Sequence, residues 1–271
     1  MLTAPSGMLQ GRTFQAAHEV LALRPATHEE WTMALQEKIV EYRDGEVACK
    51  GFYCYDDAFA TPQPAVLISH TWAGRGEFEE RKARRLAWHG YACFALDMFG
   101  NGKRGANNDE NTQLITPFVQ DRTLMARRIQ AALTAVRAQP RVDKNRVAAM
   151  GFCFGGMCVL DLARSGADVR GVVSFHGLLK PPVSTAQTQI KSKVLVLHGS
   201  DDPLAPVEDV VALQKELTQA KADWQVHVYG GTSHAFTNPQ ARDSASGLVY
   251  KEEADRRSWH TLINFLEEVL R

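Results

Sequence analysis

Three residues of this chain have the types and the order that nucleophilic acyl transfer needs: Cys153, then an aspartate at Asp201 or Asp202, then His234. A cysteine attacks a carbonyl carbon as thiolate. A histidine takes and returns the proton, and an acid fixes the tautomer of that histidine and stabilises its cation. Cys153 stands in Gly151-Phe152-Cys153-Phe154-Gly155-Gly156, directly after the apolar run Arg146–Met150 and directly before a helical pattern. A strand that turns this sharply into a helix holds its nucleophile in a strained conformation. Side chains at Gly151 and Gly155 would collide there with neighbouring backbone. The turn lifts the sulfur above the sheet and aims the helix N-terminus at it, which favours thiolate.

The elements that must carry these groups are legible around them. Lys38 to Arg43 and Glu46 to Tyr55 flank Asp44-Gly45, a strong hairpin signal. Buried-strand runs follow at 65–70, 91–98, 146–150, 169–175, 194–197 and 225–229. Helical spacing covers 76–89, 121–139, 155–165, 207–217 and 251–270. Near-continuous apolar strands alternating with helices predict a mostly parallel sheet covered on both faces, with an antiparallel hairpin at its N-terminal edge. Ligands bind such sheets beyond the carboxyl ends of the strands. Both the Asp201-Asp202 loop and His234 follow strands, downstream of the cysteine. Asp202 is favoured as the acid because it stands directly before Pro203 and four residues before Pro206; Asp201 is read as a loop cap or a solvent-facing residue. The Gly- and Asn-rich stretch from Gly100 to Gln120 reads as a loop over the pocket.

The Gly-x-Cys-x-Gly-Gly elbow, the His198-Gly199-Ser200-Asp201-Asp202-Pro203 loop, the Ser233-His234-Ala235-Phe236 segment and the strand order together resemble the dienelactone hydrolase family (carboxymethylenebutenolidases) over residues 38–270. The resemblance implies a three-layer α/β-hydrolase fold and a Cys153–His234–Asp202 triad that cleaves a small ester or lactone through an acyl-thioester. It further implies an oxyanion hole built from the backbone N–H groups of Phe154 and Trp72. The chain departs from the family at charged positions. Thr71 occupies the place of a glutamate that contacts the resting cysteine, and Glu77 is the carboxylate noted nearby. Asn101 and Asn238 stand where arginines hold the substrate carboxylate, and Lys103, Arg104 and Arg242 lie close in sequence. His70, Thr71, Asn101, His176, Phe236 and Asn238 are the pocket candidates. Dienelactone itself does not follow as the substrate.

Composition excludes several other classes. Thirty-one basic and thirty-one acidic residues balance, so no net field favours nucleic acid or an anionic membrane. With 45% hydrophobic and 23% charged residues the chain is of ordinary globular composition. No apolar run reaches the roughly 18 residues that would span a bilayer. Five cysteines (Cys49, Cys54, Cys93, Cys153, Cys158) without framework spacing fit free thiols in the cytoplasm. All but Cys153 read as structural. No pair has metal-ligand spacing, so neither metal nor cofactor is expected. The expected partner is a small ester or lactone, with no nucleic acid and no membrane, in a monomer or homodimer. Residues 1–32 read as an N-terminal extension, and 33–271 as one domain. Two other functions stay open: a non-hydrolytic binding protein that retains the elbow, and a hydrolase of a different acyl donor, such as a thioesterase.

Overall fold

Asp44-Gly45 turns the chain back on itself, so that β1 (Leu35–Asp44) and β2 (Val47–Asp56) pair antiparallel from Asp44↔Val47 outward. The computed structural model describes residues 35–182 and 189–271; the expected extension over residues 1–32 lies outside the described residues. After the hairpin the chain alternates strand and helix: β3 (Gln63–Ser69), α1 (Glu77–Ala87), β4 (Ala92–Ala95), α2 (Asn108–Gln120), α3 (Arg122–Arg137), β5 (Val142–Phe152), α4 (Phe154–Arg164), β6 (Gly171–Phe175), β7 (Lys193–Gly199), α5 (Val207–Gln219), β8 (Trp224–Tyr229) and α6 (Glu252–Val269). The eight strands lie in the order β1-β2-β4-β3-β5-β6-β7-β8, antiparallel across β1, β2 and β4 and parallel from there on.

The apolar strands β3, β5, β6 and β7 are buried on both faces, as their continuous hydrophobicity requires. One core layer packs Leu67, Phe94, Ala149 and Val196 against Ile129, Leu133 and Leu160 of α3 and α4. The other packs Ile68, Met150 and Leu197 against Leu86 and Leu262 of α1 and α6. Helices therefore cover both faces of the sheet, and the fold matches the three-layer expectation.

Two elements differ from the sequence reading. The stretch from Gly100 to Gln120 is not all loop, because α2 occupies Asn108–Gln120. Asn107 caps it by accepting from the Glu110 N–H, and Glu110 reaches back to the Ala106 N–H. Its polar composition and internal Pro117 conceal it from an apolar-periodicity test. A second small sheet pairs β9 (Arg242–Asp243) with β10 (Leu248–Val249), strands too short for any alternation to show. Leu248 bridges to His234, and the Val249 N–H donates to the His234 carbonyl, so this ribbon fixes the histidine loop.

The β5–α4 turn sets the geometry of the molecule. Cys153 has φ 56° and ψ −116°, a region that non-glycine residues rarely enter. The turn is tight because α4 starts against β3: a Cβ on Gly155 would stand 2.6 Å from the His70 carbonyl oxygen and would collide with that of Ser69. Gly151 is equally constrained by the carbonyl of Gly155. Gly155→Ala should lower stability by about 3 kcal/mol, because backbone on both sides must move. Urea denaturation measures it; a midpoint like that of the wild type would mean that the turn relaxes freely.

Candidate active site

Cys153 sits at the carboxyl end of β5 and is the least buried of the five free cysteines. Its backbone N–H donates to the Phe175 carbonyl, which ties the elbow to the neighbouring strand β6. Phe154 opens α4, so its N–H belongs to the first turn and has no partner within the helix.

The structure brings Asp202, and not Asp201, to His234. The Asp202 Oδ2 accepts from His234 Nδ1 at 2.8 Å, while its Oδ1 accepts the N–H groups of Leu204 and Ala205 at 2.9 and 3.2 Å. Asp201 is exposed and accepts from the Ser200 hydroxyl. A buried carboxylate satisfied on both oxygens holds the ring in one orientation, with the proton on Nδ1. The buried Nε2 then makes no conventional hydrogen bond among the described residues. It is the nitrogen left for Cys153, and such contacts are often loose without substrate. Burial opposes charge on the His234 ring. Electrostatic interaction with Cys153, the Asp202 hydrogen bond and the sulfur contact outweigh it, and the pKa is pushed up to about 10.

The other histidines are arranged differently. His176 lies behind His234, its ring centroid 4.9 Å away edge-on, and also packs against Phe236 at 5.1 Å. Its Nε2 pairs with the Thr237 hydroxyl at 2.9 Å, and burial followed by the His234 charge pushes its pKa well down. It remains a neutral wall. Phe236 is fully buried and is part of that wall.

His70 is fully buried, and backbone uses both of its nitrogens. Nε2 accepts from the Met98 N–H at 3.1 Å, which leaves the ring proton on Nδ1 to be donated to the Thr71 carbonyl at 2.6 Å. Burial holds this ring neutral, with a pKa lowered to about 4. His70 therefore supports the loop after β3 through both of its ring nitrogens. Trp72, also on this loop, is partly buried against the core.

Thr71 carries no carboxylate, but one reaches its backbone. Glu79, on the first turn of α1, is buried, and it accepts the Thr71 N–H at 3.1 Å and the Gly76 N–H at 2.9 Å. Burial raises its pKa, while the two N–H donors pull against that. The sequence reading noted Glu77 and passed over Glu79. The available signal was its place three residues after Gly76, the position from which a glutamate reaches back to a helix N-cap. Asp97 was missed in the same way: its carboxylate collects the N–H groups of Lys50, Phe99, Gly100 and Gly102 and shapes the turn after β4.

Asn101 and Asn238 serve their own turns. Asn101 has φ 55°, is exposed, and donates its N–H to the Ala48 carbonyl. Asn238 accepts the Gln240 N–H on its own side-chain oxygen. Arg122, Arg128 and Arg164 are committed to buried carboxylates, Arg128 to Asp44 and the other two to Asp161. Two open grooves of about 280 and 290 Å³ run along α6 and share no residue with the cysteine site. Among the described residues no group of three or more His, Cys, Asp or Glu side chains could hold a metal ion, and no helix is long and apolar enough to cross a membrane.

A mostly parallel eight-stranded sheet with a thiol on a strained strand–helix turn defines the α/β-hydrolase class. The fold superposes on an α/β-hydrolase enzyme from a Medee basin deep-sea metagenome library with a TM-score of 0.62, at 17% identity over 86% of this chain and 98% of that one. The dienelactone hydrolase family model matches residues 51–270, and the chain belongs to that family of ester and lactone hydrolases. It is 39% identical to a dienelactone hydrolase-like promiscuous phosphotriesterase from metagenomic libraries, with a TM-score of 0.85 over 88% of this chain and all of that one (100%). A protein of Aquifex aeolicus (strain VF5), named provisionally as a carboxymethylenebutenolidase, is 27% identical over 242 residues, 86% of this chain and 99% of its own length.

Because the folded pKa of His234 lies above its ordinary 6.5, the folded chain keeps a proton that the unfolded chain releases. The resulting stabilisation is complete below pH 6.5 and is lost as pH rises through about 10. Cys153→Ala removes the largest raising influence, so the imidazole titration followed by NMR should move down from about 10 toward 6.5. A titration indifferent to the substitution would mean that the sulfur does not act on the ring.

Proposed function

We propose that the chain hydrolyses small carboxylic esters or lactones with Cys153 as nucleophile, His234 as general base and acid, and Asp202 as the group that orients the histidine. One observation supports this reading above the others: His234 is held by Asp202 through Nδ1 at 2.8 Å, which leaves its buried Nε2 without another partner among the described residues. In this mechanism the His234 cation pairs with the Cys153 thiolate. Sulfur adds to the carbonyl carbon, and the oxygen takes up the negative charge between the N–H groups of Phe154 and Trp72. The tetrahedral adduct collapses to an acyl-thioester as the imidazolium Nε2–H protonates the leaving alkoxide. A water deprotonated by the now neutral His234 then adds to the thioester; collapse of this second adduct releases the acid and restores thiolate and imidazolium.

Asn101 and Asn238 each have local turn duties, and Arg122, Arg128 and Arg164 are bound to internal carboxylates, whereas the Arg104 guanidinium lies against Gly76 on the loop after β3. A phosphotriester is a second candidate substrate, favoured by the 39% identity to the metagenomic phosphotriesterase. The free thiols fit a reducing compartment, the cytoplasm.

A p-nitrophenyl ester should give a burst of one equivalent of nitrophenol and a chain heavier by one acyl group in the mass spectrum. Cys153→Ala should lose turnover by at least about a thousandfold. Equal slow turnover by wild type and variant, over a panel of aryl esters, lactones and an aryl phosphotriester, would sink the cysteine mechanism and favour a binding role.

A further inference from the structure

The loop between β3 and α1 carries the Trp72 N–H, and two buried polar side chains outside the triad act on it. His70 and Glu79 both close on the backbone of one residue, Thr71. From one side Glu79 Oε1 accepts the Thr71 N–H at 3.1 Å, while its Oε2 takes the Gly76 N–H at 2.9 Å. From the other side His70 Nδ1 donates to the Thr71 carbonyl at 2.6 Å, and the Gly74 N–H donates to the same oxygen at 3.3 Å. Met98 fixes the ring by its N–H on Nε2 at 3.1 Å.

The Thr71 carbonyl and the Trp72 N–H belong to one peptide plane. That peptide is trans, since the one cis bond among the described residues is Thr61–Pro62. In a trans peptide the two dipoles point in opposite directions, so anchoring the carbonyl on His70 turns the Trp72 N–H away from His70. Gly155 allows α4 to begin against the carbonyls of Ser69 and His70, which brings the loop beside the elbow. Two polar side chains at 0% and 2% exposure are an expensive way to hold an ordinary surface turn. We propose that His70 and Glu79 are positioning residues that hold the Thr71–Trp72 peptide with its N–H set as the second oxyanion donor. The inference rests on the cysteine-hydrolase reading and extends it to two residues that do not touch substrate.

Glu79→Gln leaves one acceptor oxygen for two N–H groups. At the other anchor, His70→Asn keeps an N–H donor near the Nδ1 position, whereas His70→Gln places its amide near Nε2 and loses the bond to Thr71. Stopped assays with a p-nitrophenyl ester should show kcat falling about tenfold to a hundredfold in Glu79→Gln and His70→Gln, with KM within about threefold. His70→Asn should retain more of kcat than His70→Gln. The inhibition constant of an aryl trifluoromethyl ketone, whose thiol adduct carries the same oxyanion, should rise in parallel with the loss of kcat. Alkylation of Cys153 by iodoacetamide uses the thiolate but no oxyanion, and should stay within about twofold of wild type.

Wild-type kcat in a folded Glu79→Gln protein overturns the proposal, as does equal loss in His70→Asn and His70→Gln. A fall in alkylation alongside kcat also overturns it, because the whole site has then been disturbed. If Glu79→Gln does not fold, the ordering of the two His70 variants decides. Failure of the underlying cysteine reading is separately visible, since wild type itself would then give no burst.

Discussion

The left-handed backbone at Cys153 is the constraint on which the rest of the site depends. Such a conformation persists only where its surroundings over-determine it. Here the surroundings are the carbonyls of Ser69 and His70, pressed so close to Gly155 that no side chain fits between them. That close approach joins the end of β3 to the start of α4. It puts the thiol, the Phe154 N–H and the loop bearing Trp72 on a common rim. Adding one methyl group at the contact would separate the Cys153 thiol from the loop that bears Trp72.

Within this frame the chain uses one residue type for opposite electrostatic purposes. Four histidines are buried near the strand ends, and in three of them the partners that decide the charge are plain. His234 faces a carboxylate and a thiol, and its pKa is pushed up to about 10. His176, edge-on to it with a threonine hydroxyl for company, is kept neutral by burial and by the neighbouring positive charge. His70 is neutral because one nitrogen must accept an N–H and the other must donate to a carbonyl, and only the neutral ring does both. A second cation beside His234 would compete for Cys153, so the neutrality of its neighbours is part of the same arrangement.

The family resemblance and the structure meet at the fold and part at the charged positions. The resemblance implies a carboxylate where Thr71 stands, and in the structure a carboxylate from the next helix, Glu79, accepts the Thr71 backbone N–H. Asn101 and Asn238, where the resemblance implies arginines, serve their own turns, and Asp97 organises the turn after β4. These exchanges leave the sheet and elbow unaffected because they lie on connecting loops, where side chains can change without repacking the core.

By local patterns alone the sequence specifies the order of the main strands and helices, the hairpin at Asp44-Gly45 and the elbow, because strand and helix periodicity and glycine sterics are read within a few residues. It also singled out Asp202 over Asp201, since a proline directly after an acid constrains a loop in a way visible in the chain. Helix α2 escaped it because a polar helix capped by Asn107 and interrupted by Pro117 has no apolar stripe. The ribbon of β9 and β10 escaped it because two-residue strands have no period. Which side chains meet was decided only by the tertiary structure. Glu79 is eight residues from Thr71, and the Asp202–His234 pair spans thirty-two. Whether a histidine there is cation, wall or anchor depends on burial and on partners brought from other strands, and no local pattern in the chain encodes those.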